Sequence, residues 1–178
     1  MKIGVLGGSF NPPHFGHILL VFWALSDSDL DQILVIPCYR HPFGKKMIRY
    51  EDRLVMSKIA FKKFSKFVKV SDIEKRLRGI SRTLLTLKAL KKKNPQNKYF
   101  LLIGSDILAE KEKWYKISEL ERHFGIIVVP RGIKKEGLYI PDIKSREIRN
   151  RIKSGKSVSN FLPKPVLKYI KKNKLYKD

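Results

Sequence analysis

Four short runs that are apolar at every position, each followed by a polar turn and then by helical spacing, constrain this fold most. The runs are residues 3–6, 33–36, 99–103 and 126–129, with a weaker one at 67–70. Continuous apolarity, as opposed to strict alternation, marks strands buried on both faces, and such strands belong to parallel sheets. Between them the spacing predicts helices near 16–26, 50–64, 82–93 and 114–122. The second of these carries Leu54, Ile59, Ala60 and Phe64 at close to helical intervals. Strands alternating with helices define an α/β chain.

The turns share a chemistry. After the first run come Gly7-Gly8-Ser9-Phe10-Asn11-Pro12-Pro13-His14, and after the second Pro37 with Arg40, His41 and Lys45. The third leads to Gly104-Ser105-Asp106 and the fourth to Pro130-Arg131. Ligands of open parallel sheets bind beyond the carboxyl ends of the strands, so four polar turns on one edge predict one shared site. The expected architecture is a Rossmann-like open parallel sheet with helices on both faces and a C-terminal helical extension. In that extension, 145–154 places Ile148 and Ile152 one turn apart with Gly155 as the stop, and 163–173 puts Val166, Leu167 and Ile170 on one face. No linker or internal repeat intervenes, so residues 1–178 read as one domain. Residues 1–140 are its core, and 141–178 are a helical part expected to pack across the sheet edge.

A chain that is 43% hydrophobic and 31% charged can bury a core, which excludes wholesale disorder. Its 39 Lys and Arg against 16 Asp and Glu leave a net charge of +23, a field that attracts polyanions. Yet 28 of those cations are Lys, many in solvent-facing runs such as Lys91-Lys92-Lys93, whereas Arg is favoured for bidentate phosphate and base contacts. Aromatic residues do not interleave with the basic runs as a base-stacking surface requires, and no helix-turn-helix pattern is present. A basic nucleic-acid-binding module is therefore the reading from another class, and a specific nucleic acid is not the expected partner. Cys38 is the only cysteine, which points to a reducing cytoplasm. The longest apolar run, 18–25, falls far short of the roughly 20 residues that cross a bilayer, so no membrane partner is expected.

The segment 7–17, between a buried strand and an apolar helix, carries the chemistry. Gly7 and Gly8 permit close backbone approach, and free amides at a helix start favour an anion. Neither a Walker loop nor the G-x-G-x-x-G spacing is present. His14 and His17 bracket the helix start, where imidazoles donate to phosphate oxygens and a phosphate raises their pKa. Two plainer readings stay open: a zinc site from His14, His17 and either His41 or Cys38, and a pair of structural turn histidines.

The same segment matches the G-x-F-x-P-x-H-x-G-H signature of the nucleotidylyltransferase superfamily through Gly8, Phe10, Pro12, His14, Gly16 and His17. Gly104-Ser105-Asp106 resembles the G-x-D of bacterial nicotinate-nucleotide adenylyltransferases, and Lys113-Trp114-Tyr115-Lys116-Ile117 resembles their K-W-x-x-I. The tail, from Leu162-Pro163 through Val166, Tyr169 and Ile170 to Leu175-Tyr176, is similar to their L-P-x-x-V-x-x-Y-I…L-Y terminus. Three segments depart from that pattern. S-Y-T-x-D-T-L stands here as Ser81-Arg82-Thr83-Leu84-Leu85-Thr86-Leu87, so Arg82 and Leu85 replace a Tyr and an Asp. I-S-S-T-x-I-R stands as Ile143-Lys144-Ser145-Arg146-Glu147-Ile148-Arg149, and P-P-H-K becomes Arg40-His41-Pro42-Phe43-Gly44-Lys45-Lys46.

The resemblance implies transfer of AMP from ATP to nicotinate mononucleotide, giving deamido-NAD and pyrophosphate, with Mg²⁺ accompanying ATP. Nicotinamide mononucleotide, alone or as a second substrate, is the alternative acceptor. By the same resemblance His14 and His17 bind the ATP phosphates, His17 nearest the reacting phosphorus. Arg149, at the start of a helix, clamps the pyrophosphate, and Ser145, at that helix's cap position, adds a hydroxyl and amides. Asp106 accepts from a ribose hydroxyl and Gly104 permits close approach, while Gly7, Gly8, Ser9, Phe10, Gly16 and Arg131 complete the ATP side. Asn11, Lys45, Lys46, Thr83 and Trp114 form the mononucleotide side. There Trp114 stacks on the pyridine ring, Thr83 meets its substituent and the lysines meet its phosphate. No resident metal site is implied, and Arg82, Leu85 and the oligomeric state are left unassigned.

Overall fold

The computed structural model describes residues 1–108, 110–131 and 140–177. Five strands, β1 (Lys2–Gly8), β2 (Gln32–Pro37), β3 (Val68–Val70), β4 (Lys98–Gly104) and β5 (Gly125–Val129), form one parallel sheet in the order β3-β2-β1-β4-β5. Central β1 pairs Val5 with Leu34 on one side and with Leu101 on the other. The order reverses between β1 and β4, the switch point at which such sheets open a crevice. The helices are α1 (Phe15–Asp27), α2 (Tyr50–Phe61), α3 (Ile73–Leu77), α4 (Thr83–Lys93), α5 (Ser105–Leu108), α6 (Ile117–His123), α7 (Ser145–Lys153) and α8 (Lys164–Lys172).

Alternate strand residues feed two cores. Leu6, Ile33, Val35 and Leu102 face a layer built from α1, α2, α7 and α8, with Val21, Met56, Ile148 and Val166 at its centre. Val5, Ile36, Leu101 and Ile103 face α3, α4 and α6 through Ile73, Leu87 and Leu120. Helices thus cover both faces, as the unbroken apolarity of the strands predicts.

Several boundaries differ from expectation for local reasons. Helix α2 stops at Phe61 and tightens into a 3₁₀ turn over Lys62–Phe64. Its buried residues are Tyr50, Arg53, Met56, Ser57, Ala60 and Phe61; of the residues expected there, only Ala60 is fully buried. Helix α6 begins at Ile117 and not at 114, because Lys116 takes a left-handed φ of 51°. Helices α3 and α5, five and four residues long, are too short for hydrophobic periodicity to reveal them. The C-terminal helices do not lie across the sheet edge. They pack on the α1/α2 face, where the Tyr169 hydroxyl donates to Asp52 Oδ1 at 2.9 Å and the Phe15 N–H donates to Phe161 O at 2.9 Å. Among the described residues no helix is long and apolar enough to cross a membrane.

Candidate active site

Parallel pairing carries the ends of β1, β2, β4 and β5 to one edge, as the four polar turns predict. The Cys38 N–H donates to Gly8 O at 2.8 Å, and the Arg131 N–H donates to Ser105 Oγ at 2.9 Å, so neighbouring turns are tied together directly.

The two histidines sit at the crevice between β1 and β4. His14 is the extended N-cap of α1, and its backbone N–H donates to His17 Nδ1 at 3.2 Å. That bond occupies the Nδ1 lone pair, so the neutral His17 ring carries its proton on Nε2. The imidazole centroids lie 3.8 Å apart, and the Phe10 ring lies 4.8 Å from His17. His14 is only 2% exposed, and its Nδ1 has no partner among the described residues. Burial pushes the His14 pKa down to about 3, helped by the charge of Arg131. Burial also lowers His17 well below the usual histidine value, with His14, Arg131 and Lys45 adding to the effect. Both rings are therefore neutral in the free protein. A Cβ on Gly16 would lie 3.0 Å from His14 Nδ1 and 3.4 Å from Ile143 Cβ, so a side chain there would crowd the His14 ring.

The loop between β1 and α1 is held from four sides. Arg53 donates through NH1 to Ser9 O at 2.9 Å, Arg149 through NH1 to Asn11 O at 2.8 Å, and Ser145 through Oγ to Pro12 O at 2.9 Å. The Tyr176 hydroxyl donates to Asn11 Oδ1 at 2.9 Å. Asn11, placed by resemblance on the mononucleotide side, is 1% exposed, and its side-chain oxygen is taken by Tyr176. Ser145 is the first helical residue of α7 and not its cap, which is Lys144; Arg149 lies mid-helix, not at the start. Lys45 and Lys46 are both exposed, and of the two only Lys45 reaches the loop, at 3.4 Å from Ser9 Oγ. Burial and then the charge of Arg149 lower the Lys45 pKa. Among the described residues no acid forms an ion pair with Lys45, Arg53 or Arg149, and Glu74 acts on Arg53 only from a longer distance.

On the β4 side, Asp106 accepts from Arg131 NH1 at 3.2 Å, and Arg131 NH2 donates to Ile143 O. Asp106, read as a ribose acceptor, and Arg131, read as an ATP contact, are thus already partners of each other. A Cβ on Gly104 would lie 2.3 Å from Asp106 Oδ1, so glycine makes this arrangement possible.

The turn after β2 is latched to the start of α4. Ser81 Oγ accepts the Tyr39 and Arg40 N–H groups at 2.9 and 3.1 Å. Buried Glu74 accepts the Tyr39 N–H at 3.0 Å and the Thr86 hydroxyl at 3.2 Å. Burial pushes the Glu74 carboxyl up, opposed by its hydrogen bonds to Ser81, Tyr39 and Thr86. Thr83 is the first residue of α4, and Leu85 on the same helix is exposed. Trp114 is half-buried and packs against the core beneath α4 and α6, ahead of the helix it was expected to begin.

Sequence reasoning missed Arg53 and Glu74, and quoted Ser81 and Tyr176 within motifs without giving them a role. Arg53 had a signal, since it stands on the buried stripe of α2 between Tyr50 and Met56, where an arginine needs an internal acceptor. Glu74 had none, lying in a helix too short to show a face. Among the described residues no three His, Cys, Asp or Glu side chains gather to hold a metal ion, which leaves the zinc reading without a ligand set.

Residues 5–151 match the cytidylyltransferase-like family. A probable nicotinate-nucleotide adenylyltransferase of Anaeromyxobacter dehalogenans (strain 2CP-C) is 38% identical over 182 residues, covering 99% of this chain and 97% of the relative. Another, of Streptococcus pneumoniae serotype 4, is 35% identical over 186 residues, covering 98% and 88%. The solved structure of Plasmodium falciparum nicotinic acid mononucleotide adenylyltransferase complexed with NaAD superposes with a TM-score of 0.80 over 98% of this chain and 97% of that one. At 21% identity, that likeness is one of fold. With its motif loop at the switch point of the sheet and relatives matched over 97% and 88% of their length, the chain belongs to the cytidylyltransferase-like family, among the nicotinate-nucleotide adenylyltransferases.

Proposed function

We propose that the protein transfers the adenylyl group of ATP to nicotinate mononucleotide in the cytoplasm, releasing pyrophosphate and forming deamido-NAD. The observation that carries this reading is the pair of neutral imidazoles at the switch-point crevice, His17 with its proton on Nε2, beside a loop that Lys45 and Arg149 contact.

A phosphate oxygen of the mononucleotide attacks the α-phosphorus of ATP. A new P–O bond forms, the bond to the β-phosphate bridging oxygen breaks, and its electron pair leaves with pyrophosphate. The attacking group is already ionised at neutral pH, so no protein nucleophile is required. The protein's part is alignment and donation toward charge that develops at the α-phosphate. In this role His17 donates from Nε2, and His14 is a second donor. Arg149 and Lys45 face the phosphates, and Asp106 with Arg131 borders the adenosine side. Mg²⁺ prefers oxygen ligands, which the nitrogens of Lys45, Arg149 and the two histidines do not offer, so it would be held by phosphate oxygens and water, where it would neutralise charge.

Incubation with ATP and each mononucleotide, scoring pyrophosphate and dinucleotide, tests the reading. A kcat/KM at least about tenfold higher for the nicotinate form is expected, because a carboxylate and an amide differ in charge. Absence of product from both mononucleotides would reject the reaction.

A further inference from the structure

We infer that Arg82, stacked on Tyr115, is a specificity-determining residue that reads the carboxylate of nicotinate mononucleotide. The inference rests on the adenylyltransferase reading above and concerns the position where the family pattern carries a tyrosine.

The guanidinium of Arg82 lies 4.1 Å from the centroid of the Tyr115 ring. Arg82 is the N-cap of α4, immediately before Thr83, and Tyr115 immediately follows Trp114. The contact therefore joins the two segments that resemblance places around the pyridine ring. Nor is the start of α4 loose: Ser81 is hydrogen-bonded to Tyr39 and Arg40. The backbone that presents Arg82 is held on one side by these bonds, and its side chain is held on the other by Tyr115.

A guanidinium stacked face-on against an aromatic ring uses its π-face and leaves its rim of N–H donors free. Among the described residues no carboxylate pairs with Arg82. The first amides of α4 also receive no side-chain cap from it. The rim donors are thus uncommitted, half-buried and next to the aromatic pair.

The two mononucleotides differ in what such a group meets. Both carry a cationic pyridinium ring. The nicotinate form adds a carboxylate, a planar acceptor that a guanidinium holds in bidentate fashion. The nicotinamide form adds a neutral amide and leaves the ring's positive charge uncompensated, so Arg82 repels it. Attraction in one case and repulsion in the other act in the same direction on selectivity.

The test is the ratio of kcat/KM for nicotinate over nicotinamide mononucleotide, measured with saturating ATP for wild type, Arg82→Gln and Arg82→Lys. Arg82→Gln is expected to lower that ratio by about 10- to 100-fold, mainly through a higher KM for the nicotinate form. Arg82→Lys, which keeps the charge but loses the planar rim, should fall between. A ratio unchanged within threefold in Arg82→Gln overturns the inference while leaving the proposed reaction standing. If Arg82→Gln does not fold, Arg82→Lys decides by the same threefold limit. A wild-type enzyme that makes no dinucleotide, or that prefers the nicotinamide form, overturns the proposed function and this inference together.

Discussion

The hydroxyl of Tyr176 donates to Asn11 Oδ1 across 2.9 Å, joining positions 165 residues apart. Both groups are buried, and burial pushes the Tyr176 hydroxyl pKa upward, so it remains a neutral donor. The C-terminal tail thereby clamps the loop whose next polar residue is His14. Tyr176→Phe removes the donor and strands a buried amide oxygen. It should lower unfolding stability by about 1–3 kcal/mol, the cost of an unsatisfied buried acceptor. Urea titration checks this as a lower midpoint at unchanged slope, and an unmoved midpoint would show that the bond contributes nothing.

In the proposed mechanism His17→Ala removes a donor directed at the reacting phosphate. Dinucleotide formation should fall by about 10² or more, the scale of losing one transition-state donor. Full turnover in a folded His17→Ala variant would sink the proposed role.

Stability should depend on pH through the histidine pair. The folded His14 pKa is about 3, against 6.5 for an unperturbed ring, and His17 is lowered as well. Between those values the unfolded chain binds more protons, so stability falls as pH drops below about 6.5 and is level above it. Each ring contributes up to about 1.4 kcal/mol per pH unit in that window. Unfolding midpoints at pH 5 and 7.5 measure the difference, and His14→Gln should shrink it. ATP phosphates favour the charged imidazole, so ATP binding near pH 6 should take up protons. Calorimetry in buffers of different ionisation enthalpy reads that uptake, and buffer-independent heats would contradict it.

Gly16→Ala would push against His14 on one side and Ile143 on the other. The His14 ring must shift, with a stability loss of about 1–3 kcal/mol, as in other overpacked sites. Turnover should fall alongside. Gly7→Ala is the stability control, because a Cβ there meets nothing within 4 Å and should change stability by less than about 0.5 kcal/mol. Equal losses in the two variants would show that the Gly16 contact is not the cause.

Much of this was readable before any coordinates. The strands at 33–36, 99–103 and 126–129 and the strand–loop–helix around His14 and His17 are local patterns, carried by unbroken apolarity and by Gly and Pro punctuation. Helices α3 and α5 escaped because a single turn shows no periodicity. The burial of Arg53 and Glu74 escaped because charged residues on helices ordinarily face water.

By itself the sequence determined that the sheet is parallel, that its polar turns gather at one edge, and which two histidines stand there, since each follows from residues adjacent in the chain. Tertiary structure alone decided the partners. It set Arg53 on Ser9, Arg149 on Asn11, Tyr176 on Asn11, Asp106 on Arg131 and Arg82 on Tyr115. Each pair joins separate elements, and no local pattern states which group meets which until packing brings hydrogen-bonding pairs within about 3 Å and stacks Arg82 on its ring. The lowering of the His14 and Lys45 pKa values, by burial first and by the charges of Arg131 and Arg149 second, follows from that packing, because it depends on which groups are buried together.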